Sequence, residues 1–346
     1  MKPLTIICPN PKDATSFYRG IGPFGTLMDE MKDFECTFPN SVSWDAVKIS
    51  SGVFMQRPFT TQHVQICEIV KSNKKNLWID YDDYLLNVPM DNPTWGIYGD
   101  PAIKENIIKC LVHADVVSVS TPYLEECLRQ EMINAEVLKN PGVTLPEFHV
   151  IPNAYDESLF TPAQRHEKRP KLIVWRGSET HVRDVLTYAE EIIEISNQHP
   201  DWTWLFVGMP PWMLIERMPK GRCIWQKALD PIQYNDYLKG CQPDICIVPL
   251  HFSPFNLCKS NIAWIEATHA GAVVLAPDAP EWRKPGVTTY NNQADFKNGL
   301  LKLMGTSGQL KQTLNKMSLE HIQRELTLKV TNKKRAEILS KWFQIT

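Results

Sequence analysis

The chain has 346 residues, 43% of them hydrophobic and 22% charged, with a formal net charge of −2. That length exceeds one ordinary core and predicts two domains, and the near-neutral balance leaves no global field toward nucleic acid, so any basic groove has to be local. Nine cysteines, an odd number without a Cys-x-x-Cys pair, argue for a reduced cytoplasmic protein and against a disulfide framework. No apolar run reaches the length of a membrane span, and the first residues read as a strand and not as a signal peptide.

In chain order, a first strand over 4–8 runs into Thr15-Ser-Phe-Tyr-Arg-Gly-Ile-Gly-Pro-Phe-Gly, read as a glycine-rich loop before a helix carrying Leu27 and Met28. Its spacing is not that of a nicotinamide fingerprint. Residues 47–49 and 53–55 supply a further strand, and 63–70 its covering helix. A short apolar strand then enters Asp80, Asp82 and Asp83, at the sheet edge where open α/β folds place chemistry. Three carboxylates so close repel one another and call for cations or hydrogen-bond donors. They are read as a metal-chelating Asp-x-Asp, as a general base or acceptor clamp, or as a helix cap. The loop over 88–99, rich in proline, glycine and aromatics, is long enough to shape an acceptor pocket.

A helix over 103–113 and the strand after Ala114 lead to Val150-Ile-Pro-Asn-Ala-Tyr-Asp-Glu-Ser-Leu-Phe160. Residues 161–170 are polar and proline-flanked, a candidate linker. The second half opens with a strand into Arg176-Gly-Ser-Glu-Thr-His-Val-Arg-Asp184, a phosphate-friendly strand-to-helix turn. Strands follow over 202–208, 222–226 and 244–250, with a helix over 234–239. Next comes Asn256-Leu-Cys-Lys-Ser-Asn-Ile-Ala-Trp-Ile-Glu266, read as a loop and a helix capped by Asn256 or Ser260, with Ile262, Ile265 and His269 on its apolar face. Gly271 ends that helix before the apolar strand over 272–276. Lys259 and the helix amides form a ready site for a pyrophosphate, and Glu266 is a carboxylate of the kind that holds ribose hydroxyls. The tail reads as helices over 319–325 and 326–343, the second with a basic face of Lys329, Lys333, Lys334 and Arg335.

Lys-Ser-Asn followed by Glu-Ala and Ala-Gly-Ala-Val-Val resembles the donor-binding helix of GT-B glycosyltransferases of the family 4-like branch. The 151–160 junction resembles the same family, the Gly177–His181 loop its divergent branch, and Asn76-Leu-Trp-Ile-Asp-Tyr-Asp-Asp83 followed by Val88-Pro-Met-Asp-Asn-Pro93 resembles glycosyltransferases of tailed phages. The resemblance implies an α/β chain with two Rossmann-like domains facing a central cleft. Residues 1–160 would form the acceptor domain, 161–325 the nucleotide-sugar donor domain, and 326–346 a helix crossing back to the N-terminal domain. It implies donor contacts from Arg176, Gly177, Ser178, His181, Arg183, Asn256, Lys259, Ser260, Asn261 and Glu266, with Glu266 on the ribose. The family's first glutamate is replaced here by Cys258.

In such enzymes the first loop, here Arg19, Gly20 and Gly22, with Asp80 beyond it, faces donor and acceptor. Asp83, or Asp82, is the expected base. No metal or other cofactor is expected to be obligatory, because fixed positive groups can stabilise a departing diphosphate. The donor is expected to be a UDP-sugar. The expected acceptor is a 5-hydroxymethylpyrimidine base in phage DNA, which makes DNA a partner in the host cytoplasm. A polysaccharide or lipid-linked acceptor, a non-catalytic nucleotide- or sugar-binding module, and a UDP-sugar 2-epimerase on the same fold stay open.

Overall fold

A computed structural model describes residues 3–10, 13–31, 34–38, 44–135 and 144–345. The chain divides into two compact units. Unit 1 comprises Met1–Asp156, Cys258–Ser260 and Leu326–Thr346, and unit 2 comprises Glu157–Leu257 and Asn261–Glu325. Among the described residues no helix is long and apolar enough to cross a membrane. All nine cysteines are free thiols.

Unit 1 is built on a six-stranded parallel sheet: β1 (Leu4–Ile7), β2 (Cys36–Thr37), β3 (Gly52–Gln56), β4 (Asn76–Tyr81), β5 (Val116–Val119) and β6 (Glu147–Val150), in the order β2-β1-β3-β4-β5-β6. The strands β1, β3 and β5 are buried at every position, as an apolar parallel sheet covered on both faces requires. Phe24, Phe54 and Trp78 meet edge to face at 4.8–5.5 Å. The last helix, Leu328–Phe343, adds Ile338, Leu339 and Phe343 to this cluster. A Cβ on Gly52 would lie 2.4 Å from the Phe343 ring, so glycine is what admits that ring.

Three readings of this half are corrected. Residues 47–49 belong to a helix, Trp44–Ile49, and the strand is Gly52–Gln56 alone. Lys75 Nζ donates to the carbonyls of Val47 and Ser50, both at 2.7 Å, and so caps that helix end. The glycine-rich stretch is not a loop: Ala14–Ser16, a π turn over Phe17–Ile21 and Gly22–Glu30 run on as one helical segment. Its glycines serve close packing, since a Cβ on Gly20 would meet Cys8 Sγ at 2.4 Å and one on Gly22 the Phe17 carbonyl at 2.6 Å. Arg335, read as part of a basic face, is 2% exposed.

Unit 2 carries β7 (Leu172–Gly177), β8 (Thr203–Gly208), β9 (Cys223–Gln226), β10 (Ile245–Ile247), β11 (Val273–Pro277) and β12 (Val287–Tyr290), all parallel. The order β12-β11-β10-β7-β8-β9 reverses direction between β7 and β10. Loops leaving the carboxyl ends of those two strands part there, which is where such sheets bind ligands. The expected linker is pinned to this unit. Arg165 is buried and pairs with Asp244, whose other oxygen takes Lys311. Gly271, at φ +80°, ends the helix Ile262–His269 in the left-handed region that favours glycine.

Candidate functional site

The carboxyl edge of the first sheet gathers the acidic cluster, with each carboxylate tied to a cation. Asp80, at the end of β4, accepts from Arg19 Nε at 3.0 Å and Nη2 at 2.5 Å, and from Ser118 Oγ at 2.5 Å. The same arginine donates to the Ile151 carbonyl at 2.5 Å and Asn153 Oδ1 at 3.2 Å, which fixes the 151–153 junction. Arg19 and Asp80 are each 1% exposed. They hold the core together, and the expectation that Arg19, Gly20 and Gly22 line an open loop is corrected on that ground: all three are helical, and Arg19 and Gly20 are buried.

Asp82 and Asp83 share a residue that sequence reasoning missed. Arg57 follows β3 directly, at φ +48°, and its backbone N–H donates to the Asp80 carbonyl at 2.8 Å. Its guanidinium reaches Asp82 through Nε and Asp83 Oδ2 through Nη2 at 3.1 Å. Burial alone would lower the Arg57 pKa, but the two carboxylates more than reverse it and the group is held charged. Burial pushes the Asp82 pKa up, Asp83 adds to that, and Arg57 opposes it. Asp83 Oδ1 also accepts from Lys259 Nζ at 3.1 Å, within unit 1. Asp80 and Asp82, the two carboxylates of the Asp-x-Asp pattern, are thus neutralised by different arginines and do not converge as a chelating pair. Ser260 Oγ accepts from Asn153 Nδ2 at 2.8 Å.

In unit 2 the loops after β7 and β10 carry the other expected residues. Arg176, the penultimate residue of β7, brings Nη2 to 2.7 Å from Glu266 Oε2, so it is engaged by the expected ribose-binding carboxylate. Gly177 is packed against Trp175 and His181, where a Cβ would fall 2.5 and 2.8 Å from them. Ser178 and Arg183 are exposed. His181 Nδ1 lies 3.0 Å from Asp184 Oδ2, and Asp184 Oδ1 accepts from Asn256 Nδ2 at 2.7 Å and from the His251 backbone N–H at 3.1 Å.

Neither expected helix cap is made. Asn256 lies in the preceding turn of helix, Pro254–Leu257, while Asn261 occupies the N-cap position of Ile262–His269 without a side-chain cap. The Asn261 amide donates instead to the Glu281 carbonyl at 3.2 Å. The structure therefore gathers Asp82, Asp83 and Lys259 with Arg57, pairs Arg176 with Glu266, and joins His181 to Asn256 through Asp184. The pattern Gln-Arg-Pro directly after an apolar strand was the available signal for Arg57.

No family model matches the chain. TuaH of Bacillus subtilis (strain 168), named for a glycosyltransferase role in teichuronic acid biosynthesis, is 25% identical over 224 residues. That match takes in 60% of this chain and 52% of TuaH, so the chain spans about half the length of this relative. Among solved structures, Anabaena HepE in complex with UDP superposes with a TM-score of 0.64 at 15% identity, over 98% of this chain and all of HepE. A Listeria monocytogenes structure carrying the name UDP-N-acetylglucosamine 2-epimerase gives 0.60 at 14%, over 100% and 98% of the two chains. The chain has the GT-B fold.

Proposed function

We propose that the protein is a glycosyltransferase that moves a sugar from a UDP-sugar to a hydroxyl of a carbohydrate acceptor. The observation that carries this reading is Asp83, a carboxylate held between Lys259 and Arg57 at the carboxyl edge of the first sheet. One such cluster supplies a proton acceptor and fixed positive charge together. The acceptor oxygen forms a bond to the anomeric carbon while the bond from that carbon to the diphosphate oxygen breaks. The acceptor proton passes to Asp83, and the diphosphate leaves with its charge met by Lys259. Glu266, beside Arg176, takes the ribose. Asp82 keeps Arg57 in place, and the reading assigns the diphosphate's charge to cations of the chain and requires no metal.

The carbohydrate acceptor is supported by the likeness to TuaH and the UDP-sugar donor by HepE, which was solved with UDP. Hydroxymethylated phage DNA as acceptor would need a local basic surface, and burial of Arg335 takes one charge from the basic helical face. The epimerase reading shares the fold and differs in outcome, since it returns an isomerised UDP-sugar with no acceptor modified. The test offers the purified protein a panel of UDP-sugars with a cell-wall oligosaccharide or with hydroxymethylated DNA, and reads UDP release and acceptor mass in cytoplasmic buffer without metal. A mass increase of one sugar on the oligosaccharide is expected. An increase on DNA alone would move the acceptor to nucleic acid, and isomerised sugar without transfer would replace the function.

A further inference from the structure

We infer that Asp184 is the positioning residue of the sugar-nucleotide site, and that it presents Asn256 Oδ1 as the acceptor for a hydroxyl of the bound donor. The inference rests on the donor reading above and adds a residue and a contact to it. Asp184 is 5% exposed and lies just beyond β7, while Asn256 and His251 follow β10. The carboxylate therefore ties together the two loops that part at the switch point of the second sheet.

An ionised carboxylate only accepts hydrogen bonds, which decides the orientation of everything bound to it. His181 Nδ1, 3.0 Å away, must carry a proton to donate to it. The Asn256 amide is fixed just as firmly. Its Nδ2 donates to Asp184 Oδ1 at 2.7 Å and to the His251 carbonyl at 2.9 Å, both acceptors, so the amide cannot be flipped. Its Oδ1 is consequently turned away from both. That atom is buried, in a side chain 8% exposed, with no hydrogen-bond partner among the described residues.

A buried carbonyl oxygen without a donor is costly unless an ordered water or a ligand supplies one. A diphosphate offers only acceptor oxygens at neutral pH and does not satisfy it. A hydroxyl does, and a nucleotide sugar has hydroxyls on its ribose and on its transferred sugar. Asp184 thus sets a polarity pattern in which Asn256 Oδ1 selects for a hydroxyl and rejects a phosphate oxygen.

The experiment measures binding of UDP, 2′-deoxy-UDP and a panel of UDP-sugars by calorimetry to the wild type, Asn256→Ala, Asp184→Asn and Asp184→Glu, each checked for folding by circular dichroism. Loss of one neutral hydrogen bond predicts about fivefold to tenfold weaker binding in Asn256→Ala. Weakening confined to the UDP-sugars assigns the contact to the transferred sugar. Weakening of UDP and UDP-sugars but not of 2′-deoxy-UDP assigns it to the ribose. Asp184→Asn should weaken the same ligands, with partial recovery in Asp184→Glu. It should also move the His181 proton from Nδ1 to Nε2 in the nitrogen-15 spectrum of histidine-labelled protein. Unchanged affinities in Asn256→Ala, with the wild type binding UDP-sugars, would overturn the inference alone. Failure of the wild type to bind any of these ligands would overturn the donor reading and this inference with it.

Discussion

Lys259 Nζ lies 3.1 Å from Asp83 Oδ1, so the lysine expected to meet the donor's diphosphate is held by a carboxylate of the acidic cluster. The lysine is 9% exposed, the other oxygen of Asp83 is taken by Arg57, and the three side chains form one charge-balanced chain with Asp82. An arriving diphosphate competes with Asp83 for Lys259. Donor binding and release of the carboxylate are then linked.

Replacing Lys259 with Ala should weaken binding of a nucleoside diphosphate by about 1.5–3 kcal/mol, the range for a lost charge-assisted hydrogen bond. Calorimetric titration with UDP measures it. Glu266→Gln should act differently, reducing the preference for UDP over its 2′-deoxy analogue, because its target is a ribose hydroxyl. Parental affinities in both variants would contradict the donor assignment.

Asp83→Asn keeps the shape and removes the basicity. Turnover should fall by about 10²–10⁴-fold, the contribution of a positioned general base. UDP affinity should not weaken, since the substitution takes a competing anion away from Lys259. A turnover loss matched by an equal loss of affinity would assign Asp83 to donor binding instead of proton transfer.

Turnover should persist in excess chelator. Asp80 is engaged by Arg19 and Asp82 by Arg57, and each ion pair would have to break to free a ligand for a metal. Activity abolished by chelation and restored by Mn²⁺ or Mg²⁺ would contradict this.

Stability should decline on mild acidification through His269. The ring is 2% exposed on the helix Ile262–His269, its Nδ1 lies 2.9 Å from the Ile265 carbonyl, and burial lowers its pKa to about 4. The neutral ring fits the fold, while the unfolded chain takes up a proton near pH 6.5. This contribution is therefore present above about pH 6.5 and is lost as the pH falls toward 4, reaching about 3 kcal/mol at the acid end. Urea unfolding at pH 7 and pH 4.5, compared with His269→Asn, isolates it: the variant should lose less stability between the two pH values.

Much of the fold was legible because buried parallel strands write themselves as apolar runs. Residues 77–79, 172–175 and 273–276 do so, and Gly271 marked its helix end by the one backbone conformation that favours it. Sequence pattern failed where a residue's role depends on distant partners. Arg57 acts on carboxylates 25 and 26 positions away, and its left-handed backbone is unusual outside glycine. Arg335 sits among lysines in the sequence, yet the helix turns it inward, where it donates to Asn332 Oδ1 at 3.1 Å. Burial and the nearby Arg19 lower its pKa to about 9, with Asp80 opposing. The glycines near residue 20 looked like a phosphate loop because close packing and anion binding both call for a missing Cβ.

The Phe343 ring seated on Gly52 has a consequence for synthesis. All six strands of the second sheet lie between residues 172 and 290, so that sheet has its complete set before the last helix is translated. The first sheet is made earlier but waits for Ile338, Leu339 and Phe343, which follow every strand of both sheets in the sequence. The sheet whose strands come earlier in the sequence is thus completed after the other. Its apolar cluster around Phe24, Phe54 and Trp78 is the surface a nascent-chain chaperone would meet in the interval.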